Sequence, residues 1–459
     1  MGSLWKEERG MSAASGEIRS TGGAIRALAA GCVGNFVEWY DFAIYSYSVT
    51  IIATLFFPEG NRAAAIIAAF ALYGVAFLAR PLGGLFWGSL GDRIGRRTTL
   101  AVIVLIMGGA TMLIGLLPTY GTIGILAPVL LGLLRLVQGF SGGGEFTGST
   151  SFISEYAPDE KRGLFASISA TFTTLPSLLG GLTVFAVAAG FGEETYAAWA
   201  WRIPFLIGGP LALFGLYIRL KMDETPTFKA LKEREGQIER SPAREAIREH
   251  GRSILLVFAI ASLSALGAYT LGTYLPTYLQ EVVGMSRTTA IAANFLAFFV
   301  TVPLVPLVGM LGDRIGRKPL LLVGVPGFIL LSVPGYILAS TGNFFGAILG
   351  QLLVALPWSF VVSAVVVIIV EIFPTKVRYS GASIGYNLGY MIFGGSAPIV
   401  ATALVSATGS DIAPAIYLIV VALLVLPVVF LLPETRGLSL LREADRARPA
   451  AGSTEPGVT

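Results

Sequence analysis

A ten-residue stretch that occurs twice constrains this chain more than any other feature. Gly88-Ser-Leu-Gly-Asp-Arg-Ile-Gly-Arg-Arg97 lies between two long apolar runs, and Gly309-Met-Leu-Gly-Asp-Arg-Ile-Gly-Arg-Lys318 repeats it 221 residues later in the same setting. A second pair has nearly the same offset. Glu155-x-x-Pro158 followed by Arg162 returns, 216 residues on, as Glu371-x-x-Pro374 followed by Arg378. Two matching offsets mean two copies of one unit laid head to tail. A weaker third echo closes each copy: Asp223-Glu-Thr-Pro226 in the first and Pro433-Glu-Thr-Arg436 in the second.

The repeated unit is built for lipid. Of 459 residues, 54% are hydrophobic and 13% charged, with a mean hydropathy of +0.74; a soluble domain has roughly 25% charged residues. Twelve apolar runs stand at 26–50, 63–90, 98–117, 124–153, 164–189, 202–220, 253–280, 289–311, 319–339, 344–372, 380–406 and 413–432. Each is near or above the roughly 20 residues a spanning helix needs, and the longer ones imply tilt. The expected fold is therefore an all-α integral membrane protein of 12 transmembrane helices, arranged as two homologous six-helix halves. Residues 24–221 form one half and 253–434 the other, with polar tails at 1–23, expected to be disordered, and at 435–459. The linker, 222–252, carries seven acids and seven bases. Ser241-Pro242 reads as a cap and first-turn proline for a short helix over 242–250. That linker is either a solvated connection or an element docked on the halves.

Basic residues sort by membrane side. Arg93, Arg96, Arg97, Lys161, Arg162, Arg314, Arg317, Lys318, Lys376 and Arg378 fall at one set of span ends, with both tails and the linker; the other set has only Arg62, Arg202 and Arg287. The positive-inside rule puts both termini in the cytoplasm of a bacterial plasma membrane. The basic pI of 9.1 follows from this sorting and implies no nucleic acid. The lone Cys32 excludes an internal disulfide, and with the lone His250 it argues against a cysteine- or histidine-based metal site. Gly142-Gly-Gly-Glu145 lacks the Gly-Lys-Ser/Thr ending of a phosphate loop; its neighbours Gly139-x-x-x-Gly143 and Gly144-x-x-x-Gly148 read as close helix packing. With no nucleophile–base set and no cofactor motif, an enzyme is disfavoured, and no cofactor, metal or obligate protein partner is expected. The chain reads as a monomer.

Charges inside spans mark the chemistry, because each needs a partner or a proton. Asn35, Glu38, Asp41 and Tyr45 share one face of the first span at helical spacing. Arg135, Gln138, Glu145 and Ser149 make a stripe on the fourth, where Arg135 demands a carboxylate: Glu38, Asp41 or that of a substrate. Glu38, Asp41, Arg135 and Glu145 are the candidate proton relay. Arg80 sits 12 residues before Asp92, roughly 18 Å along a helix, too far to join the duplicated stretch; it either snorkels or binds substrate. The second half has no acid in mid-span. It offers Tyr269, Tyr274, Tyr278, Trp358, Tyr386, Asn387 and Tyr390 instead, surfaces that pack a bundle or cage a quaternary ammonium. The candidate substrate residues are Asn35, Tyr45, Arg80, Gln138, Tyr274, Trp358, Tyr386, Asn387 and Tyr390. The duplicated stretches supply a candidate gate: Gly88, Gly91, Asp92, Arg93, Gly95, Arg96 and Arg97 with Glu155 and Arg162, and Gly309, Gly312, Asp313, Arg314, Gly316, Arg317 and Lys318 with Glu371 and Arg378. A single copy would read as an ordinary basic anchor; two copies point to ionic clusters that make and break.

The duplicated pattern resembles the inter-helix signature of the major facilitator superfamily, and Leu131-x-x-x-Arg135-x-x-Gln138-Gly139 resembles that superfamily's fourth-helix proton-symporter motif. Gly34-Asn-Phe-Val-Glu38-Trp-Tyr-Asp41-Phe42, Arg80-Pro-Leu-Gly-Gly84, Gln138-Gly-Phe-Ser-Gly-Gly-Gly-Glu145 and Trp201-Arg-Ile-Pro-Phe205 resemble the metabolite:proton symporter family. Within it, Tyr274-Leu-Pro-Thr-Tyr278, Phe393-Gly-Gly-Ser-Ala-Pro398 and Ala413-Pro-Ala-Ile-Tyr417 look most like bacterial proline/betaine transporters. The resemblance covers roughly residues 26–435. It implies the major facilitator fold and proton-coupled import of a small carboxylate-bearing metabolite, with proline or betaine first and α-ketoglutarate, citrate or another organic acid as alternatives. The tail after Arg436 lacks the coiled coil of the best-known bacterial member, so no osmosensing role is implied. The charge sorting makes one direct prediction. Reporters fused after residue 15 and after residue 445 both read cytoplasmic; opposite sides would break the two-times-six arrangement.

Overall fold

The structure, a computed structural model, describes residues 21–58, 62–173, 175–225, 227–229, 242–438 and 440. Most of the N-terminal tail, the middle of the linker with the expected cap Ser241, and most of the C-terminal tail lie outside the described residues. Twelve spans run through the rest: α1 Thr21–Tyr47, α2 Arg62–Ile94, α3 Arg96–Leu116, α4 Leu126–Tyr156, α5 from Arg162–Thr171 continued by Leu175–Phe191, and α6 Arg202–Leu220. The second half has α7 Pro242–Tyr269 continued to Glu281, α8 Arg287–Ile315, α9 Arg317–Ala339, α10 Phe344–Glu371, α11 Arg378–Gly389 continued to Thr408, and α12 Ala413–Leu431. Among the described residues, α3, α4 and α6 to α12 are long and apolar enough to cross a membrane without further argument. The other three are α1 with its mid-span acids, α2 with Arg80 at its middle, and α5, which turns at Phe172 and Thr173.

The linker helix differs from expectation in extent. Residues 242–250 are not a separate helix but the start of α7, bent at His250 where φ is −119°. Glu245 pairs with Lys376 beyond α10, and Pro242 and Ala246 are buried, so this part of the linker docks on the second half. A helix dislikes burying a charged face without partners; Lys376 supplies one.

Gly95 and Gly316 make the turns inside the two duplicated stretches, with φ of 111° and 107°. An L side chain is strained there, and a Cβ on Gly95 would lie 2.1 Å from Glu224. That glutamate fills the turn: its carboxylate accepts from the backbone N–H groups of Arg96 and Arg97, at the start of α3. Glu434 does the same for Arg317 and Lys318 at the start of α9. The third echo in the sequence is thus a pair of helix caps, using the positive end of each helix to hold a carboxylate.

The inner stretch of α4 is buried on every side, from Gly142 through Tyr156. Glycines allow this. A Cβ on Gly139 would meet the Ala76 carbonyl at 1.9 Å, one on Gly143 the Arg80 carbonyl at 2.1 Å, and one on Gly83 the Phe140 carbonyl at 1.8 Å; α2 and α4 touch backbone to backbone. The two halves meet where α11 lies on α2 and α4, and where α8 lies on α5. Gly143→Ala should therefore cost about 1–3 kcal/mol of stability by overpacking, read as a lower melting temperature in detergent, while Gly109→Ala, whose Cβ would meet nothing within 4 Å, leaves melting unchanged.

Candidate functional site

In the low-dielectric middle of the first half, three carboxylates each hold a guanidinium. Asp41 Oδ2 accepts from Arg135 Nη1 at 2.9 Å; Gln138 donates to Asp41 Oδ1 at 2.5 Å, and its own Oε1 accepts from the same Arg135 Nη1 at 2.8 Å. Thr111 closes the group, 3.0 Å from Asp41 Oδ1. Glu38 pairs with Arg80 through Oε1 alone, and Arg80 also donates to the Gly142 carbonyl at 3.3 Å. Glu145 grips Arg219 of α6 with both oxygens, Oε2 at 3.0 Å from Nη1. All six charges are buried. Glu38 and Asp41 are thus two separate pairs on one helix rather than a shared acidic pair, and Arg80 neither snorkels nor joins the duplicated stretch.

Glu38 and Arg80 sit inside an aromatic enclosure that crosses from one half to the other. Arg80 lies over Phe42 and Phe77, 5.9 and 5.6 Å from the ring centres. Phe77 meets Tyr269 edge-on at 5.8 Å, Tyr269 meets Tyr390 at 6.4 Å, Tyr390 stacks on Tyr386 at 4.1 Å, and Tyr386 stacks on Phe146 at 4.8 Å. α7 and α11 both widen to a π-helical turn here, at Thr270–Tyr274 and Tyr390–Gly394, a distortion that recurs at functional sites. Several buried polar atoms in this place have no hydrogen-bond partner among the described residues: Glu38 Oε2, Arg80 Nε, Trp39 Nε1 and the Tyr269 hydroxyl. Such groups are costly unless something binds them.

Other sequence candidates are placed elsewhere. The Tyr45 hydroxyl donates to the Ala69 carbonyl at 2.9 Å, and its ring lies under Arg135, 4.4 Å from the guanidinium. Asn35 joins Ser149 of α4 to Ser169 of α5. Asn387 donates to the Gly143 carbonyl at 2.6 Å, in the seam between the halves. Trp358 is half-buried and donates to the Ser264 carbonyl at 3.0 Å. Tyr274 lies apart from the enclosure; it packs on Tyr278, which in turn packs on Tyr336, and the widened turn of α7 carries it off toward that end.

The duplicated stretches form two matching clusters at the basic end. Asp92 accepts from the backbone N–H groups of Tyr379 and Ser380 at 3.2 and 2.8 Å, the first turn of α11. Asp313 accepts from Gly163 and Leu164 at 2.7 and 2.9 Å, the first turn of α5. Arg96 bridges Asp92 and Glu155 and donates to the Thr375 carbonyl at 2.7 Å; Arg317 bridges Asp313 and Glu371. The glutamates then cross over: Glu155 holds Arg378 of the other half at 2.9 Å, and Glu371 holds Arg162 at 2.6 Å. Gly88 and Gly91 make room for Ser380 and Tyr379, Gly309 for the Gly163 carbonyl and Ser167, and Gly312 for Leu320. Arg97 and Lys318 reach back to carbonyls at the ends of α6 and α12. Arg93 and Arg314 stand apart from both clusters, exposed at the surface. Spacing in the sequence gives no role to Glu224, Glu434, Thr435 (which donates to Glu371 at 2.5 Å) or Arg219. An arginine at the basic end of a span reads as an anchor, and only the weak third echo hinted at the others.

With this geometry in place the comparisons decide the family. The profile of the Major Facilitator Superfamily matches residues 31–394. The chain belongs to the major facilitator superfamily. It is 37% identical to the ectoine/proline transporter of Corynebacterium glutamicum over 84% of this chain and 79% of that one. It is 35% identical to the glycine betaine/proline/ectoine/pipecolic acid transporter of Dickeya dadantii, over 89% and 83%. The solved structure of the proton:xylose symporter XylE superposes with a TM-score of 0.71 at 19% identity, covering 93% of this chain and 99% of XylE. The chain is a multi-pass membrane transporter of two homologous six-helix halves, not an enzyme.

The Glu155–Arg378 and Glu371–Arg162 pairs and the Asp92 and Asp313 caps join one half to the other at the basic end, so a parting of the halves there would break them. Losing a charged hydrogen bond of this kind costs roughly 1.5–3 kcal/mol. Glu155→Gln and Glu371→Gln should each shift the population toward an open basic end, roughly tenfold or more at 1.4 kcal/mol per decade. The readout is faster labelling of a cysteine introduced at Ser383 by a thiol reagent applied from that side; unchanged labelling in both variants would leave the clusters as anchors.

Proposed function

We propose that this protein couples inward proton movement to import of a small zwitterionic osmolyte of the proline or glycine betaine type, by alternating access about a midplane site. The observation that carries the reading is the Glu38–Arg80 pair with free polar atoms inside an enclosure of Phe42, Phe77, Tyr269, Tyr386 and Tyr390. A guanidinium is the natural partner of a substrate carboxylate, and aromatic faces suit a quaternary or secondary ammonium. The printed names of the two curated relatives describe ligands of this chemistry.

In this reading Arg80, Tyr269, Tyr386, Tyr390 and Trp39 face the substrate. Glu38 and the Asp41–Arg135–Gln138–Thr111 group carry the proton: with the carboxylate protonated, the arginine is released to a ligand, and with the proton gone the pair re-forms. Residues 24–221 and 253–434 are the two moving bodies and 222–252 connects them, both termini lying in the cytoplasm. The two ionic clusters form the cytoplasmic gate, a role supported by the pairs that tie one half to the other there.

The charge of the substrate separates this reading from organic-acid symport. One charge crossing 100 mV is worth about 2.3 kcal/mol, and a pH step of one unit adds about 1.4 kcal/mol per proton. A zwitterion with one proton moves one positive charge inward, so both gradients help, and the sum of about 3.7 kcal/mol allows a several-hundred-fold accumulation. A dianion with one proton moves negative charge and is opposed. Proline and glycine betaine should each evoke inward current in reconstituted membranes at acid outside pH, and Glu38→Gln should abolish it. Silence with both, together with electroneutral α-ketoglutarate or citrate uptake, would overturn the substrate class.

A further inference from the structure

One buried ion pair has no part in the substrate site or the gate: Glu145 with Arg219. It lies one helical turn toward the basic end from Glu38. On α1 a Cβ at Gly34 would meet Glu145 Oε1 at 1.9 Å, and on α4 a Cβ at Gly142 would meet Glu38 Oε1 at 3.1 Å; Gly34 and Glu38 are four residues apart, and Gly142 and Glu145 three. Asp41, Glu38 and Glu145 therefore make a ladder of three carboxylates down the α1–α4 interface, about one turn of roughly 5.4 Å between the last two. A second, independent observation extends it. Beside Arg219 lies a small cleft of about 10 Å³, room for about one water molecule, lined by Ala30, Gly31, Arg97, Leu100, Phe152 and Arg219. Arg97 is partly exposed at the basic end and holds the carbonyls of Arg219 and Leu220. The cleft lies wholly within the first half, so it does not depend on the seam between the halves.

We propose that the transported proton leaves Glu38 for the cytoplasm through the first half, by way of Glu145 and the cleft beside Arg219, and not along the seam that the substrate follows. The proposal rests on the proton-symport reading above. The step balances simply: the Glu38 carboxylic acid gives its proton to the Glu145 carboxylate and becomes a carboxylate paired with Arg80. Glu145 then gives the same proton to water in the cleft and takes Arg219 back. The groups facing Glu145 are Arg219 from α6, Glu38 from α1, Arg97 from α3 beyond the cleft, and the Tyr379 hydroxyl from α11, which donates to the Gly144 carbonyl at 2.5 Å. Arg219 is a positioning residue. It also donates to the Ala30 carbonyl at 3.3 Å and to the Leu100 carbonyl, which keeps its guanidinium at the mouth of the cleft when Glu145 is protonated. Separate exits for proton and solute let the proton depart while the gate is shut.

The test uses the full chain in liposomes with a luminal pH dye, labelled proline and glycine betaine as probes, and solute exchange measured alongside. In Glu145→Gln, proton influx per solute exchanged falls, and accumulation loses its roughly tenfold rise per unit of pH gradient; Glu145→Asp restores that pH profile. Arg219→Lys keeps the profile with slower influx. Ala30→Leu, which fills the cleft and removes no charged group, also lowers proton influx relative to exchange, and decides the matter if Glu145→Gln fails to reach the membrane. Influx and exchange falling together in all four variants would mean a structural tie only. An unchanged proton-to-solute ratio in Glu145→Gln and Ala30→Leu would place the exit elsewhere. A wild-type chain that moves neither probe with protons would instead overturn the symport reading.

Discussion

A charge buried in lipid or in a packed helix bundle has to find an opposite charge or give up its own, and the interior of this protein is arranged by that requirement. Arg135 takes Asp41, Arg80 takes Glu38, and Arg219 takes Glu145; at the basic end Glu155 and Glu371 each take two arginines, one from either half. These pairs fix which helices can be neighbours. They do so with little net gain in stability, because the desolvation of both partners offsets most of the attraction. A pair that is nearly neutral overall but severe when broken is suited to a protein that must exchange one set of partners for another.

Glycine provides the second condition. Guanidinium and carboxylate meet in the first half only because α1, α2 and α4 approach closely enough to bring short and long side chains into register. Gly143 and Gly83 put α2 and α4 backbones in contact, and Gly34 leaves the space that Glu145 and Arg219 occupy. The same residue type serves the seam, where Gly91, Gly144 and Gly148 surround the ring of Tyr379. At the matching point of the other half the residue after Arg162 is Gly163, which lies directly on Asp313 and the Gly309 carbonyl. The two halves are alike in their ionic clusters and unlike in how the helices seat against each other.

The fold was legible because hydropathy and repetition report on the whole chain at once. Twelve apolar runs place twelve helices with ends shifted by a few residues, save α7, which starts at Pro242 rather than 253, and the two offsets of about the same length reveal the duplication. Pairings were less legible, since spacing says which face of a helix a residue occupies and not which helix it will meet. Arg135 could be assigned a carboxylate but not the choice between Glu38 and Asp41. Tyr274 and Tyr269 share a segment and a residue type, yet a π-helical turn between them carries one away from the enclosure and leaves the other beside Tyr390. Arg219 was invisible because a cation at the basic end of a span is what lipid alone would select.

Glu224 and Glu434 carry a consequence for how such a chain arose. Each follows the last helix of its half and returns to fill the turn between the second and third, so each six-helix unit has its end clasped to its beginning by residues of its own. Nothing in that clasp comes from the other copy. A gene encoding one unit would already specify a closed body, and doubling it would yield two finished bodies joined by a tether, with the contacts between them free to diverge. The unequal seats of Gly163 and Tyr379 are the kind of divergence such an ancestry permits.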